Sequence, residues 1–393
     1  MKNILVLILI VVLGIAGCAS APQNQEYANP IFMQGNLDAL VDLIHEEMET
    51  KNITGLSIAV ANSGGVLWQS GFGLANKANN TAFTERTISN IGSVSKIITA
   101  TAIMSLVEKG KVDLDAPVSM YIPEFSPRGL DSSDDQITVR MLLNHESGLE
   151  SDAFKDFFLG YTEPDDFPIS YRRAIEAVNT SGVVREPYSV FSYCNLGYSL
   201  LGIIIERVNG GDFQSSVKEL VFDPLGMDDS SFFISDIPEN RLAVGYSGGK
   251  PAGLPYIRDM PAGSLTTTAS DMGLLMQNIL ASYQGDEGVL RPETIRAMFE
   301  PTNDAVKADL DFQIGLGWWI VDLKGLPGEF IVGHGGDLPP YHSLLLVMPE
   351  RDLSVFVMVN SVDGVGSFSL TNITEAAVRT FIQTQGEKPL LPP

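Results

Sequence analysis

Ser93-Val94-Ser95-Lys96-Ile97-Ile98-Thr99-Ala100-Thr101-Ala102-Ile103-Met104-Ser105-Leu106-Val107-Glu108-Lys109 opens with two serines and a lysine and continues almost entirely in apolar and small side chains. The apolar positions fall on nearly every side of a helix, as in a helix buried within a large domain. Ser93 and Lys96, at i and i+3, share one face of its first turn. A hydroxyl placed there is near free backbone N–H groups and the positive helix end, which favour a developing oxyanion. A lysine beside it, partly removed from water, gives up its proton more readily and can activate the hydroxyl. The spacing therefore predicts a nucleophile at Ser93 with Lys96 as its partner. Ser215 to Lys218 and Ser247 to Lys250 match the same S-x-x-K pattern. These lie on a surface helix and in a Gly-rich loop, and are read as structural.

Working outward, residues 36–51 read as an amphipathic helix, with Leu37, Leu40, Val41, Ile44 and Met48 on one side. Two strand-like runs, 56–61 and 66–72, flank the turn Asn62-Ser63-Gly64-Gly65. Residues 112–250 mix helices with Pro/Gly/Asp-rich loops, and strands return at 329–332, 343–348 and 353–360 before a closing helix at 371–383. The expected fold is α/β (α+β): an antiparallel sheet flanked by helices, built from both chain ends, with a mainly helical region inserted at about 112–250.

The 393 residues carry 25 Lys+Arg against 48 Asp+Glu, a net charge of −23. That excess excludes nucleic acid as a partner, since such binding runs through basic stripes. Two cysteines, Cys18 and Cys194, make no disulfide framework, and no Cys/His cluster suggests a metal; no cofactor is expected. His45-Glu46-Glu47 lacks the second histidine of a zinc-protease helix, and the pattern G-x-S-x-G occurs only in the Gly-rich loop at Gly245 to Gly249. A small-molecule or short-peptide substrate is expected. At the N-terminus, residues 4–16 form an apolar run too short to span a bilayer but suited to a signal peptide. Residues 1–17 are accordingly expected to be removed, 18–35 to form a tether, and 36–393 to form the folded domain. Ile15-Ala16-Gly17-Cys18 resembles the bacterial lipoprotein cleavage box, with Cys18 lipidated and the protein held on a membrane at the cell envelope. The other processing that fits is an ordinary signal peptide cut near Ala19 or Ala21.

Tyr193-Cys194-Asn195 lies 100 residues beyond Ser93, and His334-Gly335-Gly336 lies 141 residues beyond Tyr193. Each short pattern is weak alone; order, spacing and context together make the set persuasive. With Ile137 to Leu149, Asp223 to Met227 and Pro261 to Leu265, they make the chain resemble the serine β-lactamase and penicillin-binding-protein superfamily in its class C-like branch, which includes D,D-peptidases, D-aminopeptidases and esterases. The resemblance covers about residues 36–385. It implies that Ser93 forms an acyl-enzyme, that Lys96 shares its proton, and that Tyr193 is the general base, its phenol acidified by the neighbouring ammonium. Asn195 would orient Lys96 or the substrate amide. His334 and Gly336 would lie on a strand edging the site, with glycine letting substrate backbone approach, and the N–H groups of Ser93 and Asp337 would form the oxyanion hole.

His334 departs from the lysine of K-T-G, and a histidine is mostly neutral at pH 7. Asp337 adds a negative charge at the same edge. Both weaken the case for a carboxylate-bearing substrate, so an esterase or D-amino-acid peptidase ranks ahead of a β-lactamase. A wall-peptide binder with little turnover is the alternative. Cys194 reads as a small buried filler, His145 as a brace for a loop, His342 as a rim or surface residue, and Trp318 and Trp319 as core and rim of one pocket. The Asp134-Asp135 and Asp165-Asp166 pairs read as solvated loops.

Overall fold

A computed structural model describes residues 30–129, 137–150, 157–310, 312–361 and 366–384. The signal segment, Cys18 and the Asp134-Asp135 pair lie outside the described residues. An eight-stranded antiparallel sheet organises the rest. In chain order its strands are β1 (Gly55–Asn62), β2 (Gly65–Asn76), β3 (Thr81–Ala82), β4 (Gln313–Ile314), β5 (Trp319–Ile320), β6 (Val332–Leu338), β7 (Tyr341–Met348) and β8 (Leu353–Val359). Their spatial order is β4-β5-β6-β7-β8-β1-β2-β3. The N-terminal and C-terminal strands join directly, from Leu56 opposite Val359 to Ala61 opposite Ser354.

Helix α1 (Pro30–Thr50) and the closing helix α5 (Thr371–Thr384) cover one face, burying Leu40, Ile44, Ile373, Val378 and Phe381 against Leu56, Ile58, Leu346, Val355 and Val357. The other face takes helix α4 (Ala269–Gln284), whose Met272, Leu275 and Met276 belong to the same buried cluster as Ala59, Phe356 and Met358. Strands covered on both faces lose the apolar/polar alternation of a half-exposed sheet. That is why 343–348 and 353–359 read as near-continuous apolar runs, broken only by Ser343 and Ser354.

Three boundaries differ from expectation. Helix α1 begins at Pro30, so the last six residues of the expected tether are helical. The chain leaves the sheet after Ala82 and returns at Gln313, so the intervening span is longer than 112–250 and includes the first quoted helix. The strand expected at 329–332 runs from Val332 to Leu338 and takes in the glycines of the H-G-G motif. Glycine is depleted in strands, but neighbours pack so closely here that side chains would not fit. A Cβ at Gly333 would lie 2.3 Å from the Leu345 carbonyl oxygen, and one at Gly335 would lie 2.4 Å from Ser367 Oγ.

Candidate active site

The helix opening on Ser93 is split. Gly92–Val94 form a 3₁₀ turn, and the α-helix proper, α2, runs Ser95–Glu108 with every side chain from Ser95 to Leu106 buried. Ser93 therefore sits in the tight turn before α2, half-buried and reachable. Local bonds hold this turn. Asn90 Oδ1 accepts from Gly92 N (2.8 Å); Ser95 Oγ donates to the Gly92 carbonyl (2.5 Å) and accepts from Leu265 N (3.1 Å). Gly92 itself has φ +52, and a Cβ there would lie 2.6 Å from Asp337 N, so strand β6 presses directly on the turn.

Lys96 is fully buried. Its ammonium donates to three acceptors: Ser93 Oγ (3.2 Å), Asn195 Oδ1 (2.8 Å) and the Ala262 carbonyl (2.8 Å). Lys96 Nζ thus touches the Ser93 hydroxyl and the Asn195 side chain at once. Asn195 is the first residue of helix α3 (Asn195–Asn209), whose N-cap is Cys194. The Cys194 sulfur accepts from Gly197 N (3.3 Å), a capping role added to the expected buried filling. Tyr193 precedes the cap, and Lys96 Nζ lies 4.7 Å from its ring centroid. Pro261 to Leu265 wraps the start of α2 from outside: Thr99 Oγ1 donates to the Pro261 carbonyl (2.7 Å), and Ala262 supplies the Lys96 acceptor. The sequence of this stretch signals the family but not that role, because backbone carbonyls leave no residue-type signal.

His334 is 2% exposed, and its ring lies 4.5 Å from that of Trp319 and 6.2 Å from that of Tyr193. Burial first, then the Lys96 charge, push its pKa down to about 3, so it is uncharged. Its Nδ1 meets the Gly335 carbonyl at 2.6 Å, which can only accept, so Nδ1 carries the proton and Nε2 offers a lone pair. Nε2 is buried and has no partner among the described residues.

Two expectations need correction. Gly336 is expected to make room for substrate backbone, yet a Cβ there would lie 1.9 Å from the Ile91 carbonyl oxygen and 2.5 Å from Ser343 Oγ. The glycine admits the chain's own nucleophile turn. Asp337 is expected to put negative charge at the site edge. Side chains alternate along a strand, and its carboxylate lies on the Gly335 side, accepting from His342 Nδ1 (2.6 Å), Ser367 N (2.6 Å) and Ser367 Oγ (2.9 Å). Burial raises that carboxyl's pKa, but these bonds outweigh it and hold it below the ordinary value. His342, expected at a rim or surface, is 4% exposed and spent on Asp337. Trp318 is core, while Trp319 is half-buried and packs on His334 with the rings tilted by 32°. Of the other S-x-x-K matches, Lys218 pairs with Asp223, and Ser247 and Lys250 are exposed on a hairpin. No group of three or more His, Cys, Asp or Glu side chains suited to a metal occurs among the described residues.

Glu146, beside this site, is fully buried. Asn144 Nδ2 donates to Oε2 (3.0 Å), whereas Oε1 has no partner among the described residues. Burial and the nearby Asp309 carboxylate push its pKa up from 4.5 to about 7. Between those values the folded chain keeps a proton that the unfolded chain has lost. Stability should therefore fall as pH rises from 4.5 to 7, with the full penalty above 7. Glu146→Gln removes the penalty, of up to about 3 kcal/mol. The variant's thermal midpoint should exceed wild type at pH 8 and match it near pH 4.5; parallel curves would refute this.

Residues 40–379 match the Beta-lactamase family model. Esterase EstB of Burkholderia gladioli is 32% identical over 225 residues, 56% of this chain and 56% of that protein, so the chain spans little more than half of EstB. Penicillin-binding protein 4 of Amycolatopsis lactamdurans is 28% identical, covering 82% of this chain and 84% of that one. The octameric penicillin-binding protein homologue from Pyrococcus abyssi superposes with a TM-score of 0.72 at 29% identity, over 90% of this chain and 79% of that structure. A sheet closed by both chain ends, with a serine and a buried lysine packed beside strand β6, agrees with the β-lactamase-fold serine hydrolases. The chain belongs to that family.

Proposed function

We propose that the protein is a serine hydrolase that cleaves an uncharged ester or amide through an acyl-enzyme on Ser93. The observation that carries this is the Lys96 ammonium, buried and held at once on Ser93 Oγ and Asn195 with the Tyr193 ring against it. In this reading Tyr193 takes the Ser93 hydroxyl proton as Oγ bonds to the substrate carbonyl carbon. The negative oxygen so formed is received by the Ser93 and Asp337 N–H groups, a preorganised arrangement that carries much of such catalysis. Collapse expels the alcohol or amine, which takes the proton back from Tyr193; water then releases the acyl group by the reverse sequence.

Substrate preference follows from the walls. His334 is uncharged and cannot hold a carboxylate as a lysine would. Trp319 packs against it at 4.5 Å, Phe312 lies 6.4 Å from Trp319, and Phe191 lies 4.5 Å from Phe312. Such a wall favours an apolar or aromatic group. Esters and D-amino-acid amides or peptides with a blocked or absent carboxylate rank above penicillins. Fluorophosphonate labelling should disappear in Ser93→Ala, and turnover of a short-chain nitrophenyl ester should exceed that of nitrocefin. Equal labelling of the variant would sink the assignment, and strong nitrocefin turnover would reverse the ranking. The N-terminal sequence supports action at the cell envelope through a lipid on Cys18. No helix among the described residues is long and apolar enough to cross a membrane. Incorporation of labelled palmitate by the full chain but not by Cys18→Ser tests the anchor.

A further inference from the structure

We propose that His145 is a positioning residue that sets Tyr193 against Lys96 and Ser93, an inference resting on Tyr193 as the base. His145 engages three consecutive residues of the base loop. Its carbonyl accepts from Ser192 N (2.9 Å), and its Nδ1 accepts from Cys194 N (3.0 Å). Its ring lies 4.5 Å from that of Tyr193 between them, tilted by 33°. On its other sides the ring meets Tyr198 at 5.2 Å and Phe191 at 5.6 Å. Both supports are themselves tied down: Tyr198 donates its hydroxyl to the Leu143 carbonyl (3.0 Å), and Phe191 N donates to Asp309 Oδ1 (2.6 Å).

The backbone of His145 has φ +62, a left-handed conformation that few non-glycine residues adopt and in which His, Asn and Asp are enriched. That conformation lets one residue direct its carbonyl and its ring at neighbouring peptide groups of the same loop. The chemistry at Nδ1 is equally specific. A backbone N–H can only donate, so Nδ1 must be a lone pair and the ring must be neutral. Burial, and then the Lys96 charge facing it, keep it so. Ring and lone pair are separable by substitution. Asn tolerates the left-handed backbone, and its Oδ1 stands where His Nδ1 stands; Phe keeps the ring and loses the acceptor.

The test uses the full chain with His145→Asn and His145→Phe, beside Ser93→Ala and Tyr193→Phe. It reads the fluorophosphonate labelling rate, kcat and KM on a nitrophenyl ester, and the thermal midpoint. Phe should lower labelling rate and kcat together by about 100-fold, the scale of a misplaced catalytic group, while KM stays within about twofold. Asn should recover most of the loss. A wild-type labelling rate in His145→Phe, or an equal loss in both variants that tracks a fallen midpoint, overturns the proposal. Wild-type rates in Tyr193→Phe would instead refute the base assignment, and the inference with it.

Discussion

Lys96→Met should lose about 10³-fold or more in kcat while leaving the thermal midpoint unchanged or raising it. Two opposing effects lead there. A buried ammonium is expensive to desolvate, and its three hydrogen bonds to Ser93, Asn195 and Ala262 offset that cost. An apolar side chain of similar length removes the charge but leaves Asn195 Oδ1 and the Ala262 carbonyl without their donor, at about 1–3 kcal/mol each. Around a fully buried position the terms come close to cancelling, as they do for other buried charges replaced by well-packed apolar groups. The chemistry has no such compensation, because a thioether cannot donate to Ser93 Oγ. Acylation measured with a fluorophosphonate, alongside thermal unfolding, checks both halves. A variant that is inactive and also unfolded would show that Lys96 is a structural residue first.

Gly336→Ala should be the second large effect, in stability and rate together. Its Cβ would overlap the Ile91 carbonyl oxygen at 1.9 Å, and that atom is backbone, unable to swing aside. Ser343 Oγ, the next neighbour, is committed to the same carbonyl by a 2.7 Å hydrogen bond. Relief requires strand β6 to move off the Gly92–Val94 turn, at about 3 kcal/mol of overpacking. The same movement separates the Ser93 and Asp337 amides, and a displacement near 1 Å costs about 10²-fold in rate. Thermal unfolding and acylation rates read the two consequences. Wild-type values for both would mean that the strand slides freely over the nucleophile turn.

These two residues also mark how far the amino-acid sequence alone can be read. Lys96 is legible because its role depends on residue types at a fixed spacing, Ser and Lys one helical turn apart ahead of an apolar run. The sheet core is legible for a similar reason: Leu344 to Met348 and, but for Ser354, Leu353 to Val359 are apolar throughout, as suits doubly covered strands. Gly336 is not, because glycine records only that something lies close, and leaves open whether it is ligand or chain. Asp337 misleads because its effect depends on which face of β6 it occupies and on His342 and Ser367 beyond it. His145 shows itself as a brace, but the Tyr193 loop it clamps lies almost 50 residues away along the chain. The extent of β6 is hidden because its glycines answer to packing partners and not to local strand preference.

The antiparallel pairing of β1 with β8 has a consequence for the order of synthesis. Strand β1 is among the first parts of the domain to leave the ribosome, and its partner at Leu353–Val359 is among the last. At ordinary translation speed the interval is on the order of tens of seconds. Through that time β1 can pair with β2 but keeps an open edge, and for most of it the Gly92–Val94 turn lacks strand β6, which presses on it. The sheet against which Ser93 is set thus closes only once Leu353–Val359 has been made. A product terminated before Leu353 should be both inactive and prone to pair its bare edge with other chains.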